Sequence, residues 1–448
     1  MLKNTQRIPI LAPIKQRTMK ILHTADWHLG KRLETFSRHD EQVIVLNDIC
    51  ALADSHNVDV VIVAGDLFDT YNPPNESVEL FYKICKRLTN NGLRPVIAIA
   101  GNHDSPERIE APDPLARECG IIFAGFPSST VAPFALNSGI AVTHSDAGFI
   151  SLSLPQYAYP LHLLLTPFAN EERLKRYLGD TNREATMRDM VKEMWQKNLD
   201  LCQNTEGVSS SNQDGVVLLM AHLLFLHDSL APVQEDEGEK PIYIGTASAF
   251  FPEDIPDGVQ YVALGHLHRH HFVNKSAEKP VPPLEAVARV EERVKPPICY
   301  SGSPLAYSFN EENQEKYVIL INAEPSKPVQ TEKILLKNAK KLVKIVAHDM
   351  ADALVKLMAV PDALVQLSIS TDNALDRSII QPLMEAHKGI VPPIIPLFNR
   401  NTEGGSTERT IDLDDLQKMF LDYFRFKHGS EPTTEVVDLF KEILAGDG

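Results

Sequence analysis

The sequence predicts an α/β protein organised around a mainly parallel, layered sheet, and three observations predict it. Short apolar runs rich in β-branched residues alternate with amphipathic helical stretches, giving a β-α-β-α-β series between Lys20 and Ala100. Each run stops at a Gly, Asp, Asn or His. Those stops place the chemistry-bearing side chains outside the carboxyl ends of the strands, where ligands bind in such sheets.

Lys20–Thr24 is the first strand and ends in Ala25-Asp26-Trp27-His28-Leu29-Gly30. Asp26 and His28 stand two apart, so an extended backbone turns both to one side. A carboxylate beside an imidazole makes a metal half-site. Taken alone, a turn capped by Asp26 accounts for the pair more readily. Residues 38–56 read as a helix on the spacing of Val43, Leu46, Ile49 and Ala53. Asn57–Ala64 is the second strand and runs into Gly65-Asp66-Leu67-Phe68-Asp69. Asn75–Leu88 is a second helix with Val78, Phe81, Ile84 and Leu88 on one face, a stripe that suits core contact, with a dimer surface as the alternative. Val96–Ala100 is the third strand and runs into Gly101-Asn102-His103-Asp104, around which the chain is organised. Asn, His and Asp are ordinary turn residues, so this tetrad takes its meaning from the other strand ends.

Residues 121–170 carry Gly and Pro punctuation and short strand-like runs such as Gly139–Val142. Thr181–Leu201 reads as a helix and Gln203–Asp214 as a polar loop. Val216–Ala221 is a strongly apolar strand ended by His222, and Gly258–Leu264 is another, ended by Gly265-His266-Leu267-His268. Collected, the strand ends offer Asp26, His28, Asp66, Asn102, His222, His266 and His268. This oxygen and nitrogen set without a thiolate suits two divalent cations rather than one. Two ions about 3.5–4 Å apart need a bridging carboxylate and clamp the attacking and leaving oxygens of an in-line phosphoryl displacement. Asp66, the carboxylate of the middle cluster, is the natural bridge.

Composition bounds the rest. A chain of 448 residues suggests two or three domains. Its 43% hydrophobic and 23% charged content is ordinary for a globular chain in water. No apolar run approaches the roughly 18 residues of a membrane span. Residues 1–18 are basic without an apolar stretch, so no secretory signal and no membrane association is expected. They read as a short extension before Met19, or as a matter of start-codon choice. The five cysteines are scattered with no CxxC pair, which fits the reducing cytoplasm and argues against disulfides or a thiolate zinc site. The net charge of −16 argues against tight unaided DNA binding. It leaves room for a local basic groove, a metal-neutralised site or a more basic partner.

The ordered set Asp-x-His (26, 28), Gly-Asp-x-x-Asp (65–69), Gly-Asn-His-Asp (101–104), His222 and Gly-His-x-His (265–268) resembles the calcineurin-like metallophosphoesterases. Within that superfamily the chain is similar to the SbcD family of bacterial nuclease subunits. The likeness rests on Ile21–Gly30, Val63–Thr70, Ala100–Ser105, Ile242-Tyr243-Ile244-Gly245-Thr246 and Tyr300-Ser301-Gly302-Ser303-Pro304, and it is strong from Met19 to Ile321.

The resemblance implies a layered β-sandwich flanked by helices, with a small α/β capping domain and a C-terminal helical hairpin. It implies one metal on Asp26, His28, Asp66 and His268, and a second on Asp66, Asn102, His222 and His266, with manganese as the usual ion. It makes His103 the acid that protonates the leaving 3′ oxygen, with Asp104 orienting its imidazole. Asp69 stays open between helix capping and site support. The activity implied is hydrolysis of DNA phosphodiester bonds at double-strand ends, hairpins and single strands, as exonuclease and endonuclease, in repair, recombination and replication. The partners implied are DNA and an SbcC-type coiled-coil ATPase, with a homodimer inside a heterotetramer. A phosphodiesterase for nucleotides or another small substrate is the alternative, and a DNA-tethering module with a structural site is a second.

Residues 19–325 are therefore read as the nuclease domain and 335–400 as the capping domain, on the strand, helix, strand pattern of Lys341–Ala347, Met350–Met358 and Ala363–Ile369. Leu375–His387 adds a helix and Ile390–Phe398 an edge segment. Residues 401–411 read as a linker and 412–446 as two amphipathic helices, which suit either the capping domain or the partner's coiled coil. Ser276–Pro297 reads as an insertion, either solvated or reaching DNA through Arg289, Arg293 and Lys295.

Overall fold

Continuous apolar strands, buried on both faces, build the centre of two sheets that share one interior. In the first, β1 (Met19–Thr24), β2 (Val60–Ala64), β3 (Val96–Ile99) and β4 (Ile121–Ala124) run parallel. The second contains β5 (Phe134–Ala135), β6 (Ala141–Asp146), β7 (Phe149–Ser153), β8 (Leu161–Thr166), β9 (Val216–His222), β10 (Tyr261–Gly265), β11 (His271–Phe272) and β12 (Ile298–Tyr300). The chain then returns to the first sheet as β13 (Tyr317–Ala323), antiparallel to β1, and β14 (Gln330–Leu335). The orders are β14-β13-β1-β2-β3-β4 and β11-β12-β10-β9-β8-β7-β6-β5. This computed structural model describes residues 17–34, 36–175, 183–203, 215–227, 249–274, 295–371 and 375–398, with 432 and 436–437. Residues 1–16, 242–246, most of the 276–297 segment, the 401–411 linker and nearly all of 412–446 lie outside the described residues.

Alternation assigns each strand residue to a layer. Met19, Ile21, Ile62, Ile97 and Ile122 face Leu163, Leu165, Leu218, Met220 and Ala263 across the interior. Leu22, Val61, Val63 and Ala98 turn outward onto α1 (His39–Ser55) and α2 (Asn75–Leu88). Leu164, Leu219, Val262 and Leu264 turn outward onto α3 (Arg183–Gln203), where Met187, Val191, Trp195 and Leu199 recur every fourth residue. The result is a helix-sheet-sheet-helix sandwich. Phe81 of α2 meets Trp27 edge-on at 6.1 Å and so ties that helix to the loop after β1.

Three details differ from the sequence reading. Residues 121–170, poorly legible in sequence, hold the antiparallel β5–β8 meander, whose strands are short and partly polar. The first sheet extends through β14 to Leu335, past the 325 boundary, because β14 pairs along β13. The backbone at Asp26 and His28 is not extended: both have left-handed φ, 54° and 43°.

A smaller α/β unit follows, with the sheet order β15 (Leu342–Ala347), β16 (Leu364–Thr371), β17 (Ile395–Phe398), and helices α4 (Met350–Met358) and α5 (Arg377–Ala386). Asp349 and Asp376 cap the two helices by accepting from Asp352 N and from Ser378 N, each at 2.8 Å. Its core is its own, from Ile345, Leu357, Val365, Leu367 and Leu383. Leu342 and Leu364 also pack on Leu33, Ala306 and Phe309 of the sandwich. None of the described helices is long and apolar enough to cross a membrane.

Candidate metal centre

The carboxyl ends of β1, β2, β3, β9 and β10 meet at one edge of the sandwich. The two sheets approach there more closely than side chains ordinarily allow, and glycine makes this possible. A Cβ on Gly65, whose φ is +93°, would lie 2.2 Å from His222 Nδ1, and one on Gly265 would lie 1.9 Å from Ala64 O. Asp26, His28, Asp66 and His266 all have positive φ, which costs energy in residues with a Cβ and clusters at functional sites.

Every candidate ligand reaches this edge. Asp66 Oδ2 lies 3.4 Å from His222 Nε2 and 3.5 Å from His28 Nε2. Asn102 Oδ1 lies 2.9 Å from His222 Nε2 and 3.1 Å from His266 Nδ1. His268 Nε2 faces His28 Nε2 at 3.0 Å. His266 therefore lies beside Asn102, and His268 beside His28. Asp26 Oδ1 accepts from His266 N at 2.8 Å, and His222 Nδ1 donates to Ala64 O at 2.9 Å.

Burial sets the protonation. It pushes the Asp26 carboxyl up to about 7, despite the His222 charge, with Asp66 adding to the rise. Burial also opposes ionisation of Asp66, but the imidazoles of His222, His103 and His28 outweigh it and hold the carboxyl well below the usual range. Burial lowers His28 to about 3 and His266 well below the ordinary histidine value. Burial likewise opposes charge on His222, but Asp66 overrides it and raises the ring to about 9.

His103 stands beside this group, its ring 4.8 Å from that of His28. Its Nδ1 donates to the Asp69 carbonyl at 2.8 Å. The expectation that Asp104 orients this ring is corrected here. The Asp104 carboxylate accepts instead from Leu67 N, Phe68 N and Gly101 N at 3.0, 2.9 and 2.8 Å, so it locks the two strand-end loops together. Asp69 is placed at the site, its Oδ1 3.6 Å from His28 Nδ1 and 2.9 Å from Lys31 Nζ.

Sequence reasoning missed three buried residues. Arg173 donates to the carbonyls of Gly101 and Asp104, each at 2.7 Å, and so clamps the tetrad. Glu311 and Lys316 back His268. Arg173, Glu311 and Lys316 stand in polar stretches among other charged residues, Asn170–Lys175 and Asn310–Lys316, so nothing in the sequence sets them apart.

The donors fit metal ions. Asp26 Oδ2 and His266 Nε2 are buried with no hydrogen-bond partner, a state that costs energy unless something else satisfies it. The ring nitrogens of His28 and His268 lie 3.0 Å apart, with the Asp66 carboxylate 3.5 Å from His28 Nε2, an arrangement in which both rings could hold one ion. Asp26-His28-Asp66 and Asp66-His222-His266 each gather ligand atoms within 4.8 Å of one another, and Asp66 is common to both. His28-Asp69-His103 also gather, but the Lys31 ammonium already neutralises Asp69.

Comparison with known proteins agrees with this chemistry. The calcineurin-like phosphoesterase family model matches residues 19–270. The chain is 33% identical to the SbcD subunit of the SbcCD nuclease of Bacillus subtilis (strain 168), covering 96% of this chain and 98% of that protein. It is 27% identical to the same subunit of the Staphylococcus epidermidis nuclease, covering 85% of each chain, and 26% identical to that of Escherichia coli K12, covering 86% of each. The chain belongs to the calcineurin-like phosphoesterases and, within them, to the SbcD family of SbcCD nuclease subunits.

Proposed function

We propose that the chain is a manganese-dependent DNA nuclease whose centre holds two ions, one on Asp26, His28, Asp66 and His268 and the other on Asp66, Asn102, His222 and His266. The observation that carries this reading is the gathering of Asp26, His28, Asp66, Asn102, His222, His266 and His268 at one buried edge, with Asp66 shared between two clusters of candidate ligands. Divalent ions in such a pair supply a nucleophilic oxygen at neutral pH and neutralise charge on the phosphate.

The protein's own groups do the rest. Asp66 holds both halves in register. The Asp104 carboxylate and the Arg173 guanidinium fix the 65–68 and 101–104 loops, so that donor positions do not drift. The Asp69 carbonyl accepts a hydrogen bond from Nδ1–H of His103. A proton for a leaving 3′ oxygen would therefore come from Nε2 of this ring. Residues 342–398 act as a cap that helps present DNA, and 412–446 engage an SbcC-type ATPase, whose basic surface supplies the DNA grip that a chain of net charge −16 lacks. The assembly is a homodimer within a heterotetramer, and it works in the cytoplasm, which suits five free cysteines.

End-labelled hairpin DNA tests this. The protein is expected to cut it with manganese, and faster with the ATPase and ATP. Hydrolysis of a small phosphodiester with no cleavage of DNA under either condition would move the assignment to a small-substrate phosphodiesterase.

A further inference from the structure

Beneath His268 lies a buried ion pair that contains neither a candidate ligand nor the candidate acid. Glu311 and Lys316 are both buried, and the Glu311 Oε2 carboxylate oxygen pairs with Lys316 Nζ. The other oxygen, Oε1, accepts from Tyr307 N at 3.0 Å and Ser308 N at 3.2 Å, and it faces His268 Nδ1 at 3.4 Å. Lys316 Nζ donates further to the His268 carbonyl and to Ser303 Oγ, each at 3.1 Å. A buried charge pair of this kind costs desolvation and is weak evidence for stability alone, so its contact with a candidate ligand from two sides asks for another account. A carboxylate facing a lysine and two amide N–H groups is an acceptor only, which makes His268 Nδ1 the donor. The ring's Nε2 then carries the lone pair, on the side where His28 Nε2 lies 3.0 Å away.

We propose that Glu311, backed by Lys316, is a positioning residue that fixes the His268 ring with its Nδ1–H on Glu311 and its Nε2 lone pair toward the centre, so that the cation held by Asp26, His28, Asp66 and His268 binds tightly only while Glu311 is in place. The inference rests on the two-cation reading. The device stands on firm ground: the same turn seats the smaller α/β unit, because Glu312 Oε1 accepts from Lys344 N and Asn310 Oδ1 from Lys344 Nζ, each at 2.8 Å, and Phe309 packs on Leu342 and Leu364. Partners of this kind to a ligating imidazole typically change metal affinity by 10–100-fold.

The test is a calorimetric titration of manganese into the metal-free full chain. Wild type is expected to show two binding events. In Glu311→Gln the side-chain oxygen is drawn to Lys316 and the amide N–H faces Nδ1, which favours the wrong tautomer. One event should weaken about 10–100-fold, while the other stays within about twofold, and Glu311→Asp, which keeps the charge, should recover part of the loss. Two unchanged events, or two events weakened in parallel, overturn the positioning role and leave the two-cation reading standing. Fewer than two events in wild type overturn that reading and this inference with it. If Glu311→Gln does not fold, nitrogen-15 spectra of histidine-labelled wild type decide, with the ring assigned through His268→Gln. An unprotonated Nε2 on His268 supports the inference, and a protonated Nε2 overturns it.

Discussion

At the amino ends of β1 and β2, the buried carboxylate of Asp59 accepts from Lys20 N at 3.0 Å, the Tyr157 hydroxyl at 2.7 Å and Gln156 Nε2 at 3.3 Å, and it pairs with Arg17 at 3.4 Å. At the carboxyl ends of the same two strands, Asp26 leaves Oδ2 without a partner, and His28 and His268 turn ring nitrogens toward each other. Both ends bury carboxylates at the edge of the same hydrophobic interior. One end is satisfied by the protein, and the other is satisfied only if something positively charged is added. The lesson is that a buried charge marks a binding site through what it lacks.

Three experiments sharpen that contrast. The largest effect is expected at His103, which stands at the incomplete end and is proposed as the acid rather than as a ligand. His103→Ala should lower DNA cleavage by about 10²–10⁴-fold while manganese stoichiometry stays at the wild-type value. Cleavage within a fewfold of wild type would remove His103 from the proton transfer.

A second experiment varies pH. His222 is raised from 6.5 to about 9, and Asp26 from 3.8 to about 7. Ligands must shed these protons, so manganese affinity should rise with pH from 7 to 9, by about tenfold per unit for each proton released. The metal-free protein behaves the opposite way. The folded state holds the His222 proton more tightly than the unfolded chain does. The stability this gives is full below pH 6.5 and is lost as pH rises to 9. Thermal melts with and without manganese should therefore diverge as pH increases; parallel curves would contradict the assignment.

The smallest effect on function is expected at the satisfied end. Asp59→Ala strands Lys20 N and the Tyr157 hydroxyl and should cost about 2–4 kcal/mol of stability, read by denaturant unfolding, with manganese stoichiometry and cleavage rate unchanged. Loss of metal there would erase the distinction between the two ends.

Much of this contrast was legible in the sequence, for a physical reason. Parallel strands buried on both faces read as continuous apolar runs, so the residue that ends each run stands out, and Asp26, His28, Asp66, Asn102, His222, His266 and His268 were all found that way. The supports were not. Asp104 binds backbone amides of a loop far away in sequence, and nothing local announces that its carboxylate turns away from the neighbouring His103. Arg173 and Glu311 act on residues 72 and 43 positions away, in segments with no periodic signal. The β5–β8 meander was obscure because its strands are short and Ala141–Asp146 is half polar.

The central claim is that Asp66 joins two cations at the incomplete end, and the most direct measurement is equilibrium dialysis of manganese, with hairpin cleavage assayed on the same samples. The account predicts two ions per wild-type chain, and loss of ions and cleavage together in Asp66→Ala, with that variant still folded. Wild-type cleavage with at most one ion bound, or an Asp66→Ala protein that keeps both ions and still cuts, would contradict it.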